Sequence, residues 1–151
     1  MSEQDGSGPP THQFASDLWM ASHLDTLRRE YESKMKQILL AVADLGDAAD
    51  RLMAAPSFAQ LPPAWQDGLR GFRKRLSQTL SDAGAQRVAT VGEMVDPRVH
   101  DVDSVVDQPG RPGTVLRELM PGYVWQGKTL RPASVVTIAS PADAPEPQGP
   151  L

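Results

Sequence analysis

The sequence predicts an α+β protein: a long N-terminal helix and a helical hairpin forming a dimeric coiled coil and four-helix bundle, followed by a small all-β C-terminal domain. Three observations carry this. A proline-free stretch from about Phe14 to Ala55 is rich in Leu, Ala, Met, Glu, Lys and Arg and bears a heptad seam. A shorter amphipathic segment follows the pair Pro62-Pro63. Beyond Gly84 the texture changes to short β-branched runs divided by Pro-Gly turns.

In chain order, residues 1–13 are polar and contain Gly8-Pro9-Pro10, so a disordered tail is expected there. The first helix is expected over 14–55, with Ser16 and Ser22 as candidate N-caps; Ser22-His23-Leu24-Asp25 approximates a capping box. Its seam is Leu24, Leu27, Tyr31, Met35, Ile38, Val42, Leu45, Ala49 and Leu52, in steps of three and four with a stutter near Tyr31. Gly46 weakens such a helix by roughly 1 kcal/mol against Ala, and Pro56 ends it. A second helix is expected over 62–83, with the stripe Trp65, Leu69, Phe72, Leu76, Leu80 and Ala83 and with Gly84 as a left-handed stop. Two such hairpins from two chains close a four-helix bundle. The first helix outruns the second, so Leu24 to Met35 need cover from another chain. The expected assembly is therefore a parallel homodimer, joined through the seam and through Leu69, Phe72 and Leu76. Residues 14–84 are the expected dimerisation region and 85–140 the β domain. Its strands are expected at Arg87–Val91, Val102–Val106, Thr114–Leu119, Tyr123–Trp125 and Ser134–Ala139, with a tight hairpin tip at Trp125-Gln126-Gly127-Lys128. The segment 141–151 alternates proline with small and acidic residues, a second disordered tail.

Composition narrows the function classes. Aromatic residues are 5% of 151, so shared burial in an oligomer is expected. The net charge of -4 gives no basic footprint for nucleic acid. The absence of cysteine excludes disulfides and thiolate chemistry and fits a reducing cytoplasm. There is neither an apolar run long enough for a membrane span nor a signal-peptide pattern at the start, so a cytoplasmic location is expected. His12, His23 and His100 are far apart, which argues against a metal site. His100, between Asp96-Pro97 and Asp101, invites an acid–base reading, but the expectation is a ring that fixes a turn by hydrogen bonds. Phosphate-binding loops and nucleophile motifs are lacking. Neither enzyme activity, nor a cofactor, nor a small-molecule substrate is expected. The basic residues Arg70, Arg73, Lys74 and Arg75, and the pair Arg28-Arg29, read as solvated helix faces. Trp19 and Met20 precede the settled heptad and are either a contact surface or part of the coiled coil.

Five short motifs stand in a fixed order: L-L-A-V-A-D from Leu39, Gly68 and Gly84 around the second helix, V-D-P-R-V-H from Val95, G-T-V-L from Gly113, and G-Y-x-x-x-G-K-T-L-R-P-A-x-V from Gly122. Together they resemble the GrpE family, the nucleotide-exchange factors of DnaK-type chaperones, over roughly Ile38 to Ala139. The resemblance implies an elongated homodimer in which a β domain wedges against a lobe of the chaperone's ATPase domain, opens its nucleotide cleft and speeds ADP release. Carried over by position, the chaperone-facing residues are Val95, Pro97, Leu119, Lys128 and Thr137. Gly68 would lie near the partner, and Arg131 would contact it or hold the hairpin. Several features depart from the family pattern: a shortened paired helix, Ala41 for the usual proline, Val95 for Phe or Leu, and Asp103 at a normally apolar place. These departures keep a second expectation in view: a GrpE-like dimeric adaptor or scaffold that binds a chaperone or other protein without driving exchange.

Overall fold

The structure, a computed structural model, describes residues 11–139. The tail expected at 141–151 lies outside them, as does most of the one expected at 1–13. Thr11 to Gln13 are instead helical. The chain falls into two compact units, divided between Gln37 and Ile38. One helix, α1 (Thr11–Ala54), supplies all described residues of the first unit and opens the second.

In the first unit only Glu32 and Met35 are as much as half-buried. The helix is supported locally, by Arg28–Glu32 at 2.9 Å, Arg29–Asp25 at 2.6 Å, and the Trp19 and His23 rings stacked 5.4 Å apart. Such pairs are worth a few tenths of a kcal/mol, about 0.2–0.5 each. Ser16 and Ser22 are not N-caps: both lie inside α1, and the Ser22 carbonyl accepts a bond from the Thr26 hydroxyl at 3.0 Å. A proline-free run of good helix formers simply extends the helix past them.

In the second unit α1 has two faces. Leu39, Ala43, Gly46, Asp47 and Ala49 are buried, whereas the seam residues Ile38, Leu45 and Leu52 are exposed. Ala49, assigned to the dimer seam, is closed over by its own chain and is corrected to the inner face. A 3₁₀ turn (Pro56–Gln60) leads to α2 (Pro63–Asp82), whose N-cap is Pro62 and whose first position is Pro63. Its C-terminus is a Schellman motif. Gly84, at φ 84, donates to the Ser81 carbonyl at 2.9 Å, and Ala85 donates to the Leu80 carbonyl at 2.9 Å. Leu80 and Ala85 are both buried, supplying the apolar contact that accompanies the motif. Of the expected α2 stripe, Leu80 is buried, Leu69 and Leu76 are half-buried, and Trp65, Phe72 and Ala83 are exposed.

Six strands follow: β1 (Gln86–Arg87), β2 (His100–Val106), β3 (Val115–Met120), β4 (Tyr123–Trp125), β5 (Lys128–Arg131) and β6 (Ala133–Ile138). They form two three-stranded sheets, β1-β4-β5 and β2-β6-β3. In the second sheet β6 pairs parallel with β2 and antiparallel with β3. β6 is the best-buried strand, as its sequence ASVVTI, rich in β-branched residues, and its central place require, and Val88, Val115, Ala133 and Val135 form the β core. The expected strand Arg87–Val91 is instead Gln86–Arg87, paired with β4, and the Val88 N–H carries that pairing one step further, to the Gly122 carbonyl at 3.0 Å. The helices, the two sheets and their order make the protein α+β.

Candidate functional site

Two turns converge on the β surface. In the V-D-P-R-V-H segment, the Asp96 carboxylate accepts from the Arg98 backbone N–H at 3.0 Å and is clasped by the Arg98 guanidinium at 2.8 Å. The Asp96 carbonyl takes the N–H groups of Val99 and His100. His100 closes the turn: its Nδ1 accepts from the Asp96 N–H at 2.9 Å and its Nε2 faces the Ala89 carbonyl at 2.7 Å. An N–H donor at one nitrogen and a carbonyl at the other together select the neutral Nε2–H tautomer. The ring is thus a buried brace, as expected from the sequence. Among the described residues no group of three or more His, Asp or Glu could hold a metal ion. The Arg98 side-chain bond, reinforced by its backbone N–H, lowers the Asp96 carboxyl to about 2.

The second turn is the hairpin tip between β4 and β5. Gln126 and Gly127 have φ of 51 and 71, both positive, the backbone of a type I′ turn. Lys128 stands exposed at its end. The Thr129 hydroxyl donates to the Arg98 carbonyl at 2.7 Å, which moors the Asp96–Arg98 turn beside the hairpin. Pro97 and Lys128 are both exposed and Val95 is half-buried. The Trp125 indole N–H bonds the Ala83 carbonyl at 3.1 Å, which fixes the hairpin to the end of α2.

The remaining motif residues are structural. A Cβ on Gly122 would collide with the backbone of Pro132 and Ala133, so only glycine permits that approach. Arg131 uses every guanidinium N–H inside the chain: Nε and one Nη bond the Pro121 carbonyl at 3.1 and 2.7 Å. The others reach Asp44 at 3.1 Å and Asp47 at 2.7 and 3.2 Å. It also lies over the Tyr123 ring, 5.7 Å from the centroid. A few residues on, Asp50 of α1 pairs with Arg73 of α2 at 2.8 Å. That bond holds the Arg73 guanidinium above its ordinary value, against the opposing effect of its partial burial. Asp44, Asp47 and Asp50 therefore form an acidic row on α1 that the two arginines clamp. The sequence reading missed this row; three aspartates at i, i+3, i+6 on one helix face were its visible trace.

Other carried-over positions fall differently. Of the two roles left open for Arg131, these bonds supply the internal one, since they occupy all of its donors. Thr137 is corrected: it is buried in β6 and has no surface to offer. Leu119 is exposed and lines an open groove of about 290 Å³ with Asp47, Asp50, Arg51, Ala54, Met120 and Pro121. Gly68 lines an apolar hollow of about 470 Å³ with Leu61, Ala64, Trp65, Leu69 and Phe72, and a Cβ there would meet open space.

A long helix, a second helix and a two-sheet β region built around an internal arginine strut are the arrangement to which the ordered motifs pointed. The sequence model of the GrpE family matches residues 20–139, and the chain belongs to that family. It is 30% identical over 140 residues to Protein GrpE of Stutzerimonas stutzeri, covering 85% of this chain and 73% of the relative. Protein GrpE 2 of Streptomyces avermitilis is 33% identical over 132 residues, 82% of this chain and 65% of its own length. The mitochondrial GrpE protein homolog of Eremothecium gossypii is 30% identical over 110 residues, 70% of this chain and 51% of its own. With a mitochondrial relative in the family, membership leaves the compartment open. Among the described residues no helix is long and apolar enough to cross a membrane.

Proposed function

We propose that this protein is a co-chaperone that binds the ATPase domain of a DnaK-type chaperone and accelerates ADP release. The family match across residues 20–139 carries the reading. The exposed residues Pro97, Lys128 and Leu119, with half-buried Val95, are the candidate contact positions on this braced scaffold. Exchange then follows from linkage alone. A partner that binds the open nucleotide cleft more tightly than the ADP-closed one weakens ADP binding by the same coupling free energy. The chain acts as a homodimer, because Leu24, Leu27, Tyr31, Ile38, Leu45 and Leu52 are exposed apolar side chains along one helix.

Stopped-flow release of a fluorescent ADP analogue from a cognate DnaK-type chaperone tests the proposal. Release should accelerate in the presence of this protein, and excess ADP should weaken its grip on the chaperone. A second reading, an adaptor that binds without exchange, is favoured by one observation: Thr137 and Arg131 offer a partner no free surface. Binding with an unchanged release rate would select the adaptor, and binding to no chaperone would defeat both.

A further inference from the structure

The sheet β2-β6-β3 has two outer edges, and the fold treats them differently. The edge of β3 is met by the preceding segment: Gly92 donates to the Val115 carbonyl at 2.9 Å, Val115 donates to the Glu93 carbonyl at 2.8 Å, and Met94 bridges Thr114. Beyond His100, whose N–H is taken by Asp96, the edge of β2 has no partner strand among the described residues. The Val106 carbonyl accepts from the Ala139 N–H at 2.9 Å, so Val106 turns its backbone groups toward β6. By the alternation of a strand, Val105 turns its own to solvent. Every residue from Asp101 to Pro112 is exposed, Val102 and Val105 included. The β2–β6 register slips between Val102 and Ser104, so the regular part of the bare edge is Ser104 to Val106, roughly 10 Å long, a short template for another strand.

The charges on that edge select the occupant. Asp101, Asp103 and Asp107 are all exposed along it. A second copy of β2 would set like charges opposite one another, which disfavours self-pairing. The ends of this chain suit it no better. Residues 141–151 contain Pro141, Pro145, Pro147 and Pro150, which lack N–H donors, and add Asp143 and Glu146; residues 1–10 carry Glu3, Asp5 and Pro9-Pro10. A basic extended segment satisfies both the open backbone groups and the carboxylates.

We propose that the outer edge of β2 around Val105, flanked by the exposed carboxylates Asp101, Asp103 and Asp107, docks a Lys- or Arg-bearing extended segment of another protein by strand addition. The probe is a blocked, fluorescein-labelled peptide of repeating Lys-Val-Thr units, set against its Glu-Val-Thr counterpart. The basic peptide should bind and protect the Val105 amide from hydrogen exchange; the acidic one should not. Val105→Pro removes an outward N–H while leaving the Val106 bond to β6, and should abolish binding. A triple variant, Asp101→Lys, Asp103→Lys and Asp107→Lys, alters no backbone group and serves if the proline variant misfolds. It should weaken the basic peptide by about tenfold or more and admit the acidic one. Equal binding of the two peptides, unchanged binding by the triple variant, or binding without Val105 protection would each overturn the proposal. Val105 protection in the peptide-free protein that fades on dilution would assign the edge to a second copy instead.

Discussion

Arg131 and Asp47 are both nearly enclosed, with side-chain exposures of 12% and 10%. Removing the guanidinium leaves the Asp47 carboxylate, mostly covered at the wall of the groove, without its partner. Arg131→Ala should therefore cost about 3–5 kcal/mol, read by urea unfolding. Arg131→Lys should recover only part, since an ammonium cannot reproduce the planar fork. Gly122→Ala should cost about 3 kcal/mol or more, because the obstruction is backbone and cannot swing aside. Lys128→Glu should leave melting unchanged and weaken chaperone binding, since an exposed tip side chain has only a partner to lose. Asp96 gives a pH signature. Its folded value is lowered to about 2, so its stabilising contribution is complete above the ordinary carboxylate range, about 3.9, and is lost as pH falls through 2. Asp96→Asn should flatten that acid limb, measured by chemical denaturation across pH. At this scale the sequence was half legible. The glycine and histidine roles were readable from turn chemistry alone. Arg131 was not, because its acidic partners stand 84 and 87 residues earlier, and no local pattern encodes so distant a pairing.

The helix α1 carries two apolar faces one residue out of step. Leu39 and Ala43 belong to the buried face; Ile38, Leu45 and Leu52 belong to the exposed one. Heptad spacing alone identified the exposed face, but it could not tell which small residue the chain itself would cover, and Ala49 went to the wrong side. Leu45→Asp with Leu52→Asp should leave the inner face intact and raise the dimer dissociation constant by at least about a hundredfold, as seen by sedimentation. Helicity should fall mainly before Ile38, where α1 has no burial of its own to retain it. Among strands, the β-branched runs were legible. β5 was not, because Lys128–Arg131 is half charged and is a strand only by virtue of the type I′ turn and its pairing with β4.

For the whole molecule, the ordered motifs gave the family and the α+β class, while composition gave only exclusions. Motif order was informative because these residues solve folding problems: a close backbone approach at Gly122, a left-handed turn at Gly127, a strut at Arg131. Partner-contact positions leave no such trace in one sequence, which is why Arg131 stayed open between two roles and buried Thr137 was placed on the contact surface. The proposed division into a helical dimerisation region, residues 14–84, and a β domain, residues 85–140, has its own test. A fragment of residues 85–140 should fold poorly by itself, since Arg131 would lose Asp44 and Asp47 and Trp125 would lose the Ala83 carbonyl. Near-native melting of that fragment would contradict the strut.

The pairing of strands also dictates an order of events during synthesis. β1 joins β4, and β2 joins β6, so each sheet ties the beginning of the β region to its end. The β4–β5 hairpin can close as soon as it is made; the sheet β1-β4-β5 is then complete, whereas β2-β6-β3 must wait for the last strand. The helices, whose contacts are local, form first and quickly. For the interval in between, Asp50 has Arg73 of α2, but Asp44 and Asp47 wait for Arg131. A vectorial maturation is the expected consequence, with the Arg131 clasp among its late steps.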